Sequence, residues 1–356
     1  MKKRILIIVT VLLLPLGLMA QNLDDALRYS KLFYQGTARF NGMGGAFTAL
    51  GGDLTAISLN PAGAAIFRST EFSVSPQLTF ENKTANFYGT SSEQPNSNFN
   101  VGQAGLVSAL NIGRGSGLTG LSVAYSYNRT NNFNQRTFIS GNSQASSMSD
   151  YWASLAGGYY TDELEGNTPG GFMAYETWMI DTLSGSYTQY ASVFSYYGEM
   201  DPAYGQRTER SIDNGGFTGE HTIALGANVG DKLYLGAGVG ITTLLYTGHY
   251  SHTEIDVEDN VPDFVDFTYT DHFNATGSGW NFKFGAILKP IEMLRLGLSF
   301  TTPTLFRVRE NYFSNLTSYF DGDTPLNTDD DGSYEVKMDM NSYSYRVTTP
   351  FRINTG

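Results

Sequence analysis

The 356-residue chain contains no cysteine and only four histidines. The absence of cysteine excludes a fold held together by disulfides. Basic residues are also scarce, with 22 Lys and Arg against 34 Asp and Glu, which gives a formal net charge of −12. Because binding to a phosphate backbone needs a basic surface, nucleic acid is not expected as a partner.

Long hydrophobic runs are missing after residue 20, so no later segment offers the ~20 apolar residues that a membrane-spanning helix needs. Residues 1–20 have the order of a secretory signal peptide: basic residues at 2–4, an apolar run from Ile5 to Leu14, and then PLGLMA. We expect cleavage after Ala20. No cysteine follows that site, so a lipid anchor is not expected either.

Aromatic residues and glycines are abundant, with 23 Tyr, 23 Phe and 40 Gly, a mixture that favours strands and tight turns. In LTGLSVAYSYN, the apolar residues Leu121, Val123 and Tyr125 alternate with small or polar ones. This period of two predicts a strand with one apolar face and one small, polar face. The same alternation recurs at 72–80, 223–229, 233–241, 280–288 and 294–300.

The connections between these segments alternate in length. Short turns are predicted at 113–117, 230–231 and 289–292, whereas the segments 141–216, roughly 250–265 and roughly 312–333 are long, polar and acidic. Short turns on one side and long loops on the other are typical of a transmembrane antiparallel β-barrel. The sequence therefore predicts an all-β barrel over residues 70–356, with a soluble β-sandwich as the alternative.

About eight strands are predicted, and the last one reaches Gly356 without a closing turn. An open sheet with polar residues inside leaves an exposed edge, so we expect this chain to be the N-terminal part of a longer, truncated barrel.

The glycine-rich stretch FNGMGGAFTALGGDLTAISLNPAG occupies residues 40–63. It lacks the third glycine of a dinucleotide fingerprint and the lysine of a P-loop. Its apolar residues Phe40, Met43, Phe47, Leu50, Leu54 and Ile57 recur at spacings of three and four, which predicts short helical pieces joined by glycine turns. Helical character is expected to end at Asn60-Pro61. A compact segment directly before the first strand suggests a plug, and we assign it residues 21–69.

The stretch GTARFNGMGGAFTALGGDLTAISLNPAG and the later LGLSFTTPT resemble the N-terminal hatch and a barrel strand of the FadL/TodX family of outer-membrane transporters for hydrophobic compounds. The resemblance implies a Gram-negative outer-membrane barrel that is plugged from inside by a hatch. Lipid and lipopolysaccharide surround such a barrel. It also implies uptake of hydrophobic small molecules, such as long-chain fatty acids or aromatic hydrocarbons, by diffusion. The resemblance also implies that hatch residues gate the passage of substrate, namely Phe40, Gly44, Phe47, Asn60 and Pro61.

The segment 141–216 is the candidate for substrate capture because it places apolar side chains in a polar, glycine-rich loop. We single out Phe172, Trp178, Met179 and Phe194. Within FMAYETWMI, the spacing of Phe172, Tyr175, Trp178 and Met179 predicts a short helix. A loop that packs on itself explains the same residues equally well.

Other chemistry has weaker signals. His249 and His252 allow a metal or haem pair, although solvated histidines at the rim are the simpler interpretation. NTDDDG, at 327–332, resembles half of a calcium loop but has Met338 where the bidentate glutamate belongs. No G-x-S-x-G motif is present, so we predict no enzyme, no catalytic residue, no bound metal and no cofactor. A monomer is expected. A surface adhesin, a structural barrel and a water-filled porin remain alternatives.

Overall fold

The computed structural model describes residues 23–113, 117–195, 204–321 and 332–356. The chain divides into two compact units, Met1–Leu32 and Phe33–Gly356. The described part of the first unit contains helix α1 (Leu23–Ser30), in which Arg28 pairs with Asp25. The predicted signal peptide lies outside the described residues. Within the described ranges, no helix is both long and apolar enough to cross a membrane.

The second unit is dominated by antiparallel strands. They are β1 (Glu71–Phe87), β2 (Thr90–Asn111), β3 (Leu118–Asn132), β4 (Gln135–Asn142), β5 (Ile180–Thr182), β6 (Tyr190–Ser192), β7 (Arg207–Val229), β8 (Leu233–Ile255), β9 (Phe264–Ile291), β10 (Leu294–Thr301), β11 (Leu305–Phe320), β12 (Ser333–Lys337), β13 (Asn341–Thr348) and β14 (Arg352–Thr355). Apart from the small β5–β6 pair, all of them join one sheet. The prediction of an all-β, antiparallel fold is confirmed.

The sheet has the order β1-β2-β3-β7-β8-β9-β10-β14. Three of these eight positions are each divided into shorter strands. At the third position, β3 and β4 both pair with β7, and at the seventh, β10 and β11 both pair with β9. At the last position, β14 pairs with β10, whereas β12 and β13 pair with β11. The breaks between β10 and β11 and between β13 and β14 contain Pro303 and Pro350, which have no N–H to donate to a ladder. The sheet thus has eight strand positions.

The two faces of the sheet are inverted relative to those of a water-soluble protein. On β7, Leu225 is 61% exposed while its neighbour Ala224 is 1% exposed, and on β9 Phe284 is 51% exposed while Lys283 is 1% exposed. We call the exposed side the apolar face and the covered side the polar face. The alternation read from the sequence is therefore confirmed, with its apolar residues outside.

The long connections are shorter than predicted. The loop between β8 and β9 covers 256–263, β11 extends to Phe320 before β12 begins at Ser333, and β4 extends to Asn142 before β7 begins at Arg207. The strands continue into polar sequence, as at Tyr250–Ile255. Strand residues that are polar on both faces resemble loop residues in sequence, which is why the prediction ended these strands too early.

Residues 33–69 form three short helices on the polar face: α2 (Ala38–Gly42), α3 (Ala56–Leu59) and a 3₁₀ helix (Pro61–Ile66). Asn60 is extended and ends α3, as predicted, but the prediction that helical character stops there is wrong. Pro61 instead begins the 3₁₀ helix, because its missing N–H costs nothing at a first helical position. The segment from Phe33 onward belongs to the same compact unit as the sheet.

Candidate functional site

A buried ion pair connects the 33–69 segment to the polar face. Lys283 Nζ lies 3.0 Å from Glu220 Oε1 and donates a 2.9 Å hydrogen bond to the carbonyl oxygen of Ser58. Asn281 Nδ2 donates to Glu220 Oε2 at 3.1 Å, and Thr222 Oγ1 donates to Glu220 Oε1 at 3.1 Å. The carboxylate and the ammonium are both buried and are both supplied with hydrogen-bond partners, as buried charges require.

Sequence reasoning missed this pair, although a signal was present. In WNFKFGA, Lys283 stands between Phe282 and Phe284, at the alternate positions that carry small or polar residues in the other strands. Glu220 holds the corresponding place on β7, one position before His221. A charge of each sign on the polar face of two strands of one sheet predicts an internal pair.

Neighbouring strands hold the same segment by further polar contacts. Ser126 Oγ on β3 donates to the carbonyl of Leu54 at 2.7 Å, and Asn128 Nδ2 donates to Ser58 Oγ at 2.7 Å. Arg295 on β10 donates to the carbonyl of Leu50 at 2.9 Å. The segment is thus attached to strands at several positions of the sheet rather than to one edge.

Glycines on the polar face allow the segment to approach the strand backbone. A Cβ built at Gly236 would lie 2.2 Å from the amide nitrogen of Ala62, and one at Gly285 would lie 1.8 Å from Asn60 Oδ1. At Gly102 the nearest atom is the carbonyl oxygen of Gln35, at 2.5 Å. Any larger side chain at these positions displaces the segment.

The five predicted gating residues all lie in the 33–69 segment. Phe40 and Phe47 are buried and stacked at 5.3 Å, while Gly44 provides a turn with φ of +61°. Asn60 Nδ2 donates to the carbonyl of Thr48 at 2.7 Å, and Asn60 Oδ1 accepts from the amide of Ala62. Pro61 is buried beneath Gly236 and Gly285. Their positions fit a segment that fills the polar face, and gating itself stays a prediction.

Residues 143–195, in the connection between β4 and β7, form a second covering layer, which we call the loop cluster. It contains α4 (Met148–Ala156), a 3₁₀ turn (Thr161–Glu163), α5 (Leu164–Asn167), α6 (Pro169–Glu176) and the β5–β6 pair. Its apolar core includes Trp152, Met173 and Met179, which pack with Phe267 of β9 and Leu316 of β11. Both strand residues belong to the polar face of the sheet, where the cluster therefore sits.

The four predicted substrate residues occupy different environments in this cluster. Met179 and Phe194 are fully buried in its core, whereas Phe172 and Trp178 are half-buried. The prediction that one helix carries Phe172, Tyr175, Trp178 and Met179 is wrong for the last two. Helix α6 ends at Glu176, and Trp178 follows in a turn with φ of +61°. Substrate binding by these residues stays a prediction.

Polar contacts dock the loop cluster onto the sheet. Asp150 accepts from the amide of Ser147 at 2.8 Å, from the hydroxyl of Tyr204 at 2.8 Å and from the hydroxyl of Ser192. Burial and the hydrogen bond to Asp150 raise the pKa of Tyr204. Ser147 Oγ donates in turn to Glu254 Oε2 of β8 at 2.6 Å. The strands and the cluster therefore share one hydrogen-bonded network.

Two histidines of β8, His249 and His252, lie on opposite faces of the sheet. His252 bonds Glu254 at 2.8 Å on the polar face, while His249 points to the other face and meets His272 of β9, with their Nδ1 atoms 3.2 Å apart. The alternative of a His249–His252 metal pair is not formed, because residues three apart on a strand point to opposite faces, as their spacing indicated. The predicted calcium segment lies outside the described residues except for Gly332.

His249 and His272 line a cavity of about 780 Å³. Residues of β2, β7, β8, β9 and β11 surround it, toward the ends of β8 and β9 that residues 256–263 connect. Its wall is mainly polar and includes Arg136, Asp213 and several asparagines. Sequence reasoning missed this group because its members come from strands far apart in the chain. In the described ranges, no cluster of three or more His, Cys, Asp or Glu side chains is placed to hold a metal ion.

Comparisons with known proteins add little to this geometry. No protein-family model matches the chain, and no curated protein matches it. Among solved structures, it is similar to OmpTdeltaL8, the loop L8 deletion mutant of OmpT, an outer membrane protein of Vibrio cholerae. The similarity covers 78% of this chain and 99% of the other, at 12% identity and a TM-score of 0.12. A likeness of this size carries no argument about fold or function.

Proposed function

We propose that the protein resides in a Gram-negative outer membrane, with the apolar face of its sheet against lipid. The observation that carries this proposal is the inversion of the two faces. Leucine, isoleucine, valine and aromatic side chains cover the exposed side of the sheet, while the polar face holds an ion pair, hydroxyls and amides. In water this distribution leaves a large apolar surface uncovered, whereas in a bilayer it satisfies both faces.

We further propose that the protein passes hydrophobic small molecules, such as long-chain fatty acids, across that membrane. Two features support this proposal: an apolar core inside the loop cluster, and a polar face occupied by the 33–69 segment. In this mechanism Phe172 and Trp178, which are half-buried at the edge of the core, contact the substrate first. Met179 and Phe194 become accessible when the cluster opens, and the 33–69 segment moves to release the substrate.

The test is uptake of a radiolabelled long-chain fatty acid by a Gram-negative host that lacks its own importer and expresses the full chain. The variant F172S/W178S is compared with Y187S, which changes an exposed aromatic residue in the connection between β5 and β6. We expect uptake above background for the wild type and for Y187S. We expect about a tenfold loss for F172S/W178S, which corresponds to about 1.4 kcal/mol of binding free energy. Equal uptake by both variants at equal surface level contradicts the capture role.

A second candidate function is binding of a partner at the cell surface. It is favoured by Tyr151, Tyr160 and Tyr187, which are more than half exposed on the loop cluster. Exposed tyrosines are common anchors of recognition surfaces. If the wild type imports no fatty acid while surface-displayed protein retains its fold, this function replaces the transport proposal.

A further inference from the structure

His249 and His272 form a cross-strand pair in the halves of β8 and β9 that lie nearer to their connection at 256–263. They are direct register partners in the antiparallel ladder, so their side chains leave the sheet on the same face. Their Nδ1 atoms are 3.2 Å apart, and their ring centroids are 4.3 Å apart. In the absence of another ligand, one ring donates its Nδ1 hydrogen to the other.

The separation of the two nitrogens suits chelation of a metal ion. Zinc–imidazole bonds are about 2.0–2.1 Å long, so two such bonds to atoms 3.2 Å apart enclose an angle of roughly 100°. That angle is near the tetrahedral value that Zn²⁺ prefers. Both rings remain neutral in this arrangement, because each carries its hydrogen on Nε2 when Nδ1 binds the metal.

The surroundings hold the pair in place and leave room for an ion. Phe313 of β11 stacks on His272 at 4.4 Å with an interplanar angle of 10°, which fixes that ring. Asp213 is the register partner of His249 on β7, and its carboxylate binds Arg136 at 3.1 Å, which offsets the positive charge of Arg136. The cavity of about 780 Å³ gives solvent access to the remaining coordination positions.

We propose that His249 and His272 form a two-histidine site for a divalent transition metal ion. Zn²⁺ and Cu²⁺ are the ions that this site binds most tightly. Water fills the open positions, because the described chain brings no third His, Cys, Asp or Glu into the cluster. The bound ion links β8 to β9 on the side of the sheet that carries the apolar face. This proposal is independent of the transport proposal, since it requires neither substrate nor movement of the 33–69 segment.

The test is titration of the full-length protein in detergent with ZnCl₂ by calorimetry and with CuCl₂ by electron paramagnetic resonance. H249Q and H272Q are compared with H221Q. His221 is a matched control because it lies on β7, on the same face, and bonds the hydroxyl of Tyr125 at 2.8 Å. We expect one Zn²⁺ per chain and a Cu²⁺ spectrum with nitrogen hyperfine structure in the wild type and in H221Q.

Each of H249Q and H272Q is expected to weaken Zn²⁺ binding by about tenfold or more, since even an indirect partner of a ligand contributes that much. A change of the nitrogen hyperfine structure from two coordinated nitrogens to one should accompany the weaker binding. Unchanged affinity in both variants overturns the proposal, as does an absence of wild-type binding at about 100 µM free metal, a concentration that detects sites of modest affinity. Circular dichroism of each variant verifies that the sheet is intact.

Discussion

At the residue scale, Lys283 connects three parts of the molecule. It sits on β9, pairs with Glu220 of β7 and reaches the carbonyl of Ser58 in the 33–69 segment. Lysine suits this position because its long stem and its three donors allow it to satisfy a carboxylate and a carbonyl together. A buried pair of this kind adds little net stability when complete, but removal of one partner leaves the other charge buried alone.

We therefore predict that Lys283→Met destabilises the folded protein by about 3–5 kcal/mol, because the Glu220 carboxylate then stays buried without a cation. The measurement is equilibrium unfolding by urea of protein reconstituted in vesicles. Lys232→Met is the control, since Lys232 lies exposed between β7 and β8. The double variant K283M/E220Q should recover part of the loss. Equal stability of K283M and K232M contradicts a structural role for the pair.

At the element scale, strands were predictable from the sequence only where they carry the apolar face. Ile223 to Val229 and Leu294 to Phe300 alternate strictly and were found, because burial on one side and exposure on the other leave a period of two. The end of β8, from Tyr250 to Ile255, has polar residues on both faces and falls within the predicted loop at roughly 250–265.

The candidate site was less predictable than the strands. Phe40 and Asn60 were identified because local glycine and proline signals mark their segment. Glu220 and Lys283, or His249 and His272, meet only through the register of β7, β8 and β9, which the sequence does not specify when the end of β8 is placed too early. Burial of Met179 likewise follows from its tertiary contacts with strand residues rather than from its spacing.

The 33–69 segment is the element whose movement the transport proposal needs, and the absence of cysteine makes that movement testable. Ser58 Oγ of the segment lies 3.0 Å from Thr222 Oγ1 of β7, close enough for an engineered disulfide after a small adjustment. We predict that oxidised S58C/T222C folds normally but loses fatty-acid uptake, because the segment is then fixed to the sheet. Addition of a reductant should restore uptake.

The matched control for this tether is T253C/T268C. Thr253 and Thr268 are register partners on β8 and β9 with their hydroxyls 2.9 Å apart, so their disulfide stays within the sheet. This variant should import fatty acid in both redox states. Undiminished uptake by oxidised S58C/T222C, with the cross-link verified by mass spectrometry, means that substrate passes without movement of the segment at Ser58.

At the scale of the whole molecule, the two faces of the sheet require different environments. The polar face is covered by the 33–69 segment and by the loop cluster, and these layers form hydrogen bonds with Lys283, Ser126 and Glu254 of the strands. The apolar face is covered by nothing in the described chain, from Leu121 and Leu225 to Phe284 and Leu298. In the proposed location, a bilayer supplies the missing cover without any further protein element.

This contrast predicts different effects for one substitution at two depths of the same strand and face. Phe284 lies in the exposed apolar area, whereas Asn274 lies farther out on β9, where its register partners are Thr247 and Asn311. Phe284→Arg should destabilise the vesicle-inserted protein by about 2–4 kcal/mol, and Asn274→Arg by at most about 1 kcal/mol, because the cost of a cation falls toward the interface. Urea unfolding from vesicles measures both values. Equal, small effects, together with solubility of F284R without detergent, identify instead a sheet whose apolar face is exposed to water.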